Sequence, residues 1–86
     1  MARVRLHNLG FGITEDEFNF LYEKQNGECA ICNVKPTGYK IHVDHDHVTG
    51  QVRGLLCVKC NLALGLFMDE KKLLMKAIDY LNGESL

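Results

Sequence analysis

The feature that most constrains this chain is the arrangement of its four cysteines in two Cys-x-x-Cys pairs. Cys29 and Cys32 form the first pair, and Cys57 and Cys60 form the second. Each short loop brings two sulfurs to one centre, so the two pairs can close tetrahedrally on one zinc ion. A chain of 86 residues buries too little apolar surface to be comfortably stable without an additional constraint. The cysteines therefore predict a zinc staple.

Two disulfides, or four unrelated buried cysteines, are the alternatives to a zinc site. The first residues, Met1 to His7, lack the apolar segment of a secretory signal, and no stretch approaches the length of a membrane span. We therefore expect a soluble, cytoplasmic protein without a membrane partner. In a reducing compartment, paired Cys-x-x-Cys motifs indicate zinc ligands rather than disulfides. Four thiolates leave zinc no open coordination position, so this zinc would be structural and the chemistry would lie elsewhere.

The net charge of the chain gives no support for nucleic-acid binding. It is −1 with neutral thiols, and four thiolates around one zinc ion would make it more negative. Any attraction to phosphate must therefore be local. The candidate basic residues, which only a fold could gather, are Arg3, Arg5, Lys35, Lys40, Arg53 and Lys59.

The chain is predicted to fold as one domain over residues 1–86, because it contains no repeat, low-complexity stretch or linker. Thr14 and Glu17 form a capping box that starts the first predicted helix. Asp69 is expected to cap the last one. The apolar positions of that last helix, which are expected to face the core, are Leu73, Leu74, Ala77, Ile78 and Leu81. The predicted segments are an N-terminal arm (1–13), a helix (14–26), a zinc-bound ββα core (29–67) and a C-terminal helix (69–82).

The core segment is expected to contain a β-hairpin followed by a helix. The stretch Tyr39–His45 alternates like a strand, and Val48–Gly50 supplies a turn. Gln51–Cys57 is rich enough in β-forming residues to be the returning strand. Asn61–Phe67 is predicted to be a short helix after the second cysteine pair. A zinc ion would pin the loop before the hairpin to the end of its second strand, and would thereby fix whatever the hairpin carries.

Four ionisable residues, Asp44, His45, Asp46 and His47, lie together where the first strand meets the turn. Hydrolysis of a phosphodiester needs a base that activates water and a hard cation that neutralises charge on the phosphate. Imidazole suits the first task near neutral pH, and carboxylate or amide oxygens suit magnesium. Adjacent side chains of a strand point in opposite directions unless the strand bends. One of Asp44 and His45 would therefore hold metal while the other faces the attacking water.

Other interpretations of these polar residues stay open on the sequence alone. Asn61 would lie near the hairpin and could offer its carbonyl oxygen to the cation, but it could equally be a helix N-cap. Asp46 is as typical of a turn as of a functional site. His45 and His47 could be solvated, or could bind a second zinc ion. His42 is expected to be a surface residue of the strand.

The run from Val43 to Asn61, VDHDHVTGQVRGLLCVKCN, together with the first cysteine pair, closely resembles the phage recombination endonuclease VII family. That family belongs to the His-Me finger, or HNH, nucleases. The upstream Gly-Ile-Thr-Glu segment and the leucine-rich C-terminal stretch also resemble the family, so the resemblance covers nearly the whole chain. The motif is long, and it contains both cysteine pairs and the Asp-His pair in the family's order.

The resemblance implies an α+β fold with a zinc-stapled ββα-metal core, flanking helices and one catalytic magnesium or manganese ion. By position, Asp44 resembles the family's metal-binding aspartate, His45 its general base and Asn61 its second metal ligand. His47 matches a further histidine near the phosphate. Arg53 matches a basic residue positioned to meet the DNA backbone. Lys59 is a second DNA-binding candidate, and the four cysteines match the family's zinc ligands.

The reaction implied by the resemblance is hydrolysis of DNA. The histidine would take a proton from water, which would attack the phosphate in line with the 3′ oxygen and leave a 5′ phosphate. Such a protein would be encoded by a phage or prophage and would act in the host cytoplasm.

This chain differs from the Holliday-junction resolvases of this family in two features. Those enzymes carry a long helical extension that builds an intertwined dimer, and an acidic residue where this chain has Leu64. We therefore expect a nicking endonuclease, monomeric or weakly dimeric, that works with proteins of phage DNA packaging or recombination. The alternatives are a dimeric junction resolvase and a noncatalytic zinc module that binds nucleic acid or protein. The noncatalytic module would leave Asp44, His45 and Asn61 without a role.

Overall fold

The fold is a β-hairpin followed directly by a helix, with a further helix on each side of this unit in the chain. The computed structural model of the protein describes residues 13–37 and 40–84. The predicted N-terminal arm therefore lies, apart from Ile13, outside the described residues. In chain order the elements are α1 (Glu15–Lys24), β1 (Ile41–His45), β2 (Val52–Cys57), α2 (Val58–Leu66) and α3 (Lys71–Leu81). This is the predicted α+β architecture.

Helix α1 begins with the predicted capping box and ends against the hairpin. The hydroxyl of Thr14 accepts a hydrogen bond from the backbone N–H of Glu17, and the Glu17 carboxylate accepts one from the N–H of Thr14. Phe18 is fully buried and forms the first apolar cluster with Ile13 and Leu55. That cluster fastens α1 to the hairpin.

Gln25, directly after α1, fastens the same helix to the outer edge of β2. Its side-chain nitrogen donates to the carbonyl of Leu55 at 3.0 Å, and its side-chain oxygen accepts from the N–H of Leu55 at 3.0 Å. A strand edge leaves such peptide groups unpaired unless another element covers them. The Gln25 amide thus satisfies both polar groups of Leu55 on the side away from β1.

The two strands pair antiparallel, and their register shifts beside the predicted polar cluster. Asp44 lies opposite Gly54, but the next residue, His45, lies opposite Val52. Arg53 is therefore the extra residue of a β-bulge, which bends a strand and redirects its side chains. The irregularity lies between Asp44 and His45, where adjacent side chains of a regular strand would point in opposite directions.

Helix α2 begins one turn earlier than the sequence predicts, at Val58 rather than Asn61. Its N-cap is Cys57, whose sulfur accepts a hydrogen bond from the N–H of Cys60 at 3.4 Å. The prediction places the start after the second cysteine pair, but this sulfur fulfils the N-cap role within the pair. Asn61 is consequently the fourth residue of the helix, and its interpretation as an N-cap is wrong.

Helix α3 is present, but its apolar stripe does not face a core. No residue of α3 is buried, and Leu81 is 82% exposed. The period of the stripe predicts an amphipathic helix. The buried side chains of the hairpin, however, already pack against α1 and in the cysteine cluster, and neither cluster contains a residue of α3. Glu70, not Asp69, is the N-cap. Across residues 13–37 and 40–84, each helix is too short or too polar to cross a membrane.

Candidate active site and zinc centre

The four cysteines converge on one centre. The sulfurs of Cys29, Cys32, Cys57 and Cys60 all lie within 4.8 Å of one another, and none is in a disulfide. Four sulfurs at about 2.3 Å from a tetrahedral zinc ion would be about 3.8 Å apart. The Cys32 and Cys57 sulfurs are 3.7 Å apart. The arrangement fits the predicted zinc site, and the predicted disulfide alternative is not seen.

Burial and hydrogen bonding act differently on the thiols of this cluster. Burial raises the pKa of Cys29, but hydrogen bonds from the backbone of Cys32, Cys57 and Ile31 outweigh this effect and lower the pKa to about 6. Burial, reinforced by the neighbouring sulfurs, raises the pKa of Cys60 to about 12. Several thiolates cannot be buried together unless a cation offsets their charge. A zinc ion, which binds cysteine as thiolate, would supply that charge.

The four-cysteine cluster joins the parts of the fold that carry the polar cluster. The first cysteine pair follows α1, whereas Cys57 ends β2 and Cys60 lies in the first turn of α2. Leu56 and Leu64 pack against the same cluster. Helix α2 also lies against both strands, so the four-cysteine cluster and apolar contacts lie together at the junction between hairpin and helix.

Asp44, the predicted metal-binding aspartate, is buried and paired with Arg53. The aspartate is 9% exposed. Its Oδ2 accepts a hydrogen bond from Arg53 Nε at 2.6 Å, and its Oδ1 accepts one from Arg53 Nη2 at 3.0 Å. These bonds raise the pKa of the Arg53 guanidinium above its usual range. Arg53, which the sequence predicts to contact DNA, thus also binds the carboxylate of Asp44.

His45 ends β1 immediately after the register shift. It is half-buried, and its imidazole makes no hydrogen bond to another residue within 13–37 and 40–84. As far as the described part of the chain is concerned, both ring nitrogens stay available for water or substrate.

Asp46 is a turn residue. Its Oδ1 accepts hydrogen bonds from the N–H groups of Val48 and Thr49, at 2.8 and 3.0 Å. These two bonds hold the pKa of the carboxyl below its ordinary value. Of the two interpretations of Asp46 that the sequence allows, the structure supports the one in which it closes the turn between the strands.

Asp69 is a site residue that the sequence analysis misses. Its carboxylate, only 15% exposed, accepts a hydrogen bond from Arg53 Nη2 at 2.9 Å and lies 3.5 Å from Nδ1 of His47, which is 69% exposed. The sequence predicts a helix cap here, but Asp69 lies before the N-cap, in the loop after α2. No local pattern points to this role, because Arg53 is sixteen residues away in the chain.

The remaining predicted site residues lie on α2. Asn61 is half-buried and belongs to the helix that contacts both strands. Lys59 is exposed, and it lines one shallow cleft together with Lys40. The fold thus gathers two of the scattered basic residues, whereas Arg3 and Arg5 lie outside the described residues.

The sequence of this chain is similar to one known protein family and to two phage proteins. The model of the recombination endonuclease VII family matches residues 4–83. The chain is 48% identical over 73 residues to the Gene 59 protein of Mycobacterium phage D29, and 49% identical over 74 residues to the Gene 59 protein of Mycobacterium phage L5. Each alignment covers 83% of this chain and 44% of the relative, so the chain spans less than half the length of these relatives. No solved structure is significantly similar to it.

Proposed function

The chain belongs to the recombination endonuclease VII family, and on that premise we propose that it is a divalent-metal-dependent DNA endonuclease of the His-Me finger, or HNH, type. The observation that carries the proposal is the position of Asp44 and His45. They are adjacent at the irregular end of β1, on a hairpin whose other end is held by the four-cysteine cluster. The chemistry is thus separate from the zinc.

His45 is the general base in this proposal. It takes a proton from a water molecule, which attacks the phosphorus of a DNA phosphodiester and displaces the 3′ oxygen. A neutral imidazole has one ring nitrogen without a proton, and this nitrogen can accept a proton from water. The product carries a 5′ phosphate and a 3′ hydroxyl.

Asp44 and Asn61 would hold the catalytic magnesium or manganese ion. A carboxylate and an amide carbonyl fit such an ion because hard cations prefer oxygen ligands. When bound, the cation would stabilise negative charge on the phosphate and on the departing oxygen. Asp44 is buried, and it directly precedes His45 in the chain. The carboxylate is therefore held close to the backbone that positions the base.

The DNA contacts of the proposal come from Arg53, Lys59 and His47. Arg53 is 38% exposed on its side chain, and the hydrogen bonds that it makes to described residues use only Nε and Nη2. Nη1 therefore keeps two donors for a phosphate oxygen. Lys59 and His47 are exposed and can approach the backbone of a bound duplex without rearrangement.

We further propose that the enzyme nicks one strand and works with proteins of phage DNA packaging or recombination, as a monomer or weak dimer. The phage origin of the relatives supports this biological setting.

One observation favours a different function, that of a noncatalytic zinc module. Both oxygens of Asp44 are engaged by Arg53, as in a structural ion pair.

The product of the reaction tests the proposed chemistry. Nicked circles made from supercoiled plasmid by the zinc-loaded protein and magnesium are expected to be resealed by a DNA ligase, which requires a 5′ phosphate next to a 3′ hydroxyl. Asp44→Asn, at unchanged zinc content, is the control that should make no nicks. If ligase seals the circles only after end repair, the nick does not carry a 5′ phosphate and a 3′ hydroxyl. That result would contradict displacement of the 3′ oxygen.

A further inference from the structure

The guanidinium of Arg53 is shared between two carboxylates from different parts of the chain. Its Nη2 donates both to Asp44 on β1, at 3.0 Å, and to Asp69 in the loop after α2, at 2.9 Å. Its Nε donates to Asp44 alone, at 2.6 Å. One cation thus bridges the predicted metal ligand and a second carboxylate for which the proposed reaction has no use.

The backbone holds both ends of this bridge in place. Arg53 is the bulge residue of β2 and so lacks a cross-strand partner. Asp69 and the preceding Met68 have φ values of 56° and 55°, a left-handed conformation that is uncommon without glycine. The N–H of Asp69 is fixed to the carbonyl of Leu64 at 2.9 Å. The backbone that carries the Asp69 carboxylate is therefore held in place beside Arg53.

A divalent cation and the guanidinium compete for the same oxygens. Arg53 binds both oxygens of Asp44, and bidentate pairs of this kind are among the stronger hydrogen-bonded contacts. A second cation at that carboxylate would also be repelled by the guanidinium in a largely buried setting, where charges are poorly screened. Binding of the metal therefore requires Arg53 to give up at least one of its bonds to Asp44.

We infer that Arg53 is an internal counter-cation that occupies Asp44 until a divalent cation displaces it, and that Asp69 is the positioning residue that retains the displaced guanidinium. The inference rests on the proposed function, since it takes Asp44 as the metal ligand. Asp69 already accepts from Nη2, so the guanidinium can release Asp44 without losing all its partners. Arg53 then stays beside the site, and its Nη1 donors are not used by any described residue.

Manganese binding, measured without DNA, tests this competition. Titration of zinc-loaded protein with Mn²⁺, followed by calorimetry or by the spin resonance of free Mn²⁺, gives the affinity directly. Arg53→Gln removes the competing charge, and we expect it to tighten binding by about 10-fold or more, as the strength of a charge-assisted pair implies. Arg53→Lys keeps the charge without the bidentate fork and should tighten binding less. Arg53→Lys also tests the competition if Arg53→Gln does not fold.

Lys24→Gln is the matched control for charge. Lys24 lines the same groove as Arg53 and makes no contact with Asp44. Its replacement should leave the Mn²⁺ affinity nearly unchanged. An equal tightening in both variants would mean that overall charge, and not release of Asp44, controls the affinity, and it would overturn the inference.

Asp69→Asn tests the second half of the inference. It should weaken Mn²⁺ binding several-fold in the natural sequence, because Arg53 then has only Asp44 as its partner. The same change made together with Arg53→Gln should have little effect. Equal weakening in both backgrounds would mean that Asp69 acts on the cation directly, which would contradict its role through Arg53.

Asp44→Asn separates failure of this inference from failure of the proposed site. If that variant loses Mn²⁺ binding but Arg53→Gln fails to tighten it, the pair is merely structural and the inference alone is wrong. If Mn²⁺ binds equally well to Asp44→Asn, the proposed metal site is wrong and the competition fails with it.

Discussion

Cys57→Ala is expected to unfold the domain and release its zinc. Cys57 ends β2, caps α2 through its sulfur and belongs to the buried cysteine cluster, so the change removes three supports at once. Structural zinc sites contribute on the order of 10 kcal/mol to small domains at neutral pH. That is comparable with the whole stability of a typical domain, about 5–15 kcal/mol.

Zinc content and far-ultraviolet circular dichroism measure this outcome. Val58→Ala is the matched control, because Val58 is the next residue and its side chain is half exposed. The control should keep zinc and its helical signal. A Cys57→Ala protein that is folded, stable and free of metal would show that zinc binding by the cysteines is not required for the stability of this fold.

His45→Ala is expected to abolish DNA cleavage while zinc content and fold persist. A general base contributes about 10²- to 10⁴-fold to such a reaction. The loss should be confined to the rate, because His45 lies outside the cysteine cluster and its imidazole has no hydrogen-bond partner within residues 13–37 and 40–84. Plasmid nicking and unfolding by denaturant, measured on the same preparation, separate the two effects.

His42→Ala controls for the loss of a histidine from the same strand. His42 is half-buried and lies opposite Leu56, and the proposed reaction does not use it. Its replacement should leave nicking within a few-fold of the unchanged protein. Unfolding of the His45→Ala variant, or nicking at an undiminished rate, would show that His45 is not the base.

The features that the sequence predicts correctly have local causes. The capping box of α1 spans one helical turn, from Thr14 to Glu17. The cysteine pairs have the spacing that zinc requires, and their sulfurs do meet. Alternating residues between the pairs predict the hairpin, and its strands lie within the predicted ranges. Each of these patterns lies within a few neighbouring residues. The two cysteine pairs meet across 25 residues, but the need of one zinc ion for four ligands predicts that meeting.

The features that the sequence does not predict depend on contacts between distant parts of the chain. The stripe of α3 indicates an amphipathic helix, but no periodicity can say whether another element covers it. The bulge at Arg53 arises when β1 and β2 pair, and the role of Asp69 arises only when β2 and the loop after α2 meet. A charged residue in a strand is ordinarily expected to face solvent, and Arg53 does so, but it also binds a buried carboxylate.

The most direct test of the central claim is nicking of supercoiled plasmid by the zinc-loaded protein with and without magnesium or manganese. Zinc content is measured before and after, so that loss of the structural ion cannot imitate loss of the catalytic one. We predict nicking that requires added magnesium or manganese while zinc stays bound. DNA binding without cleavage at any concentration of either ion would contradict the account and would indicate a noncatalytic zinc module.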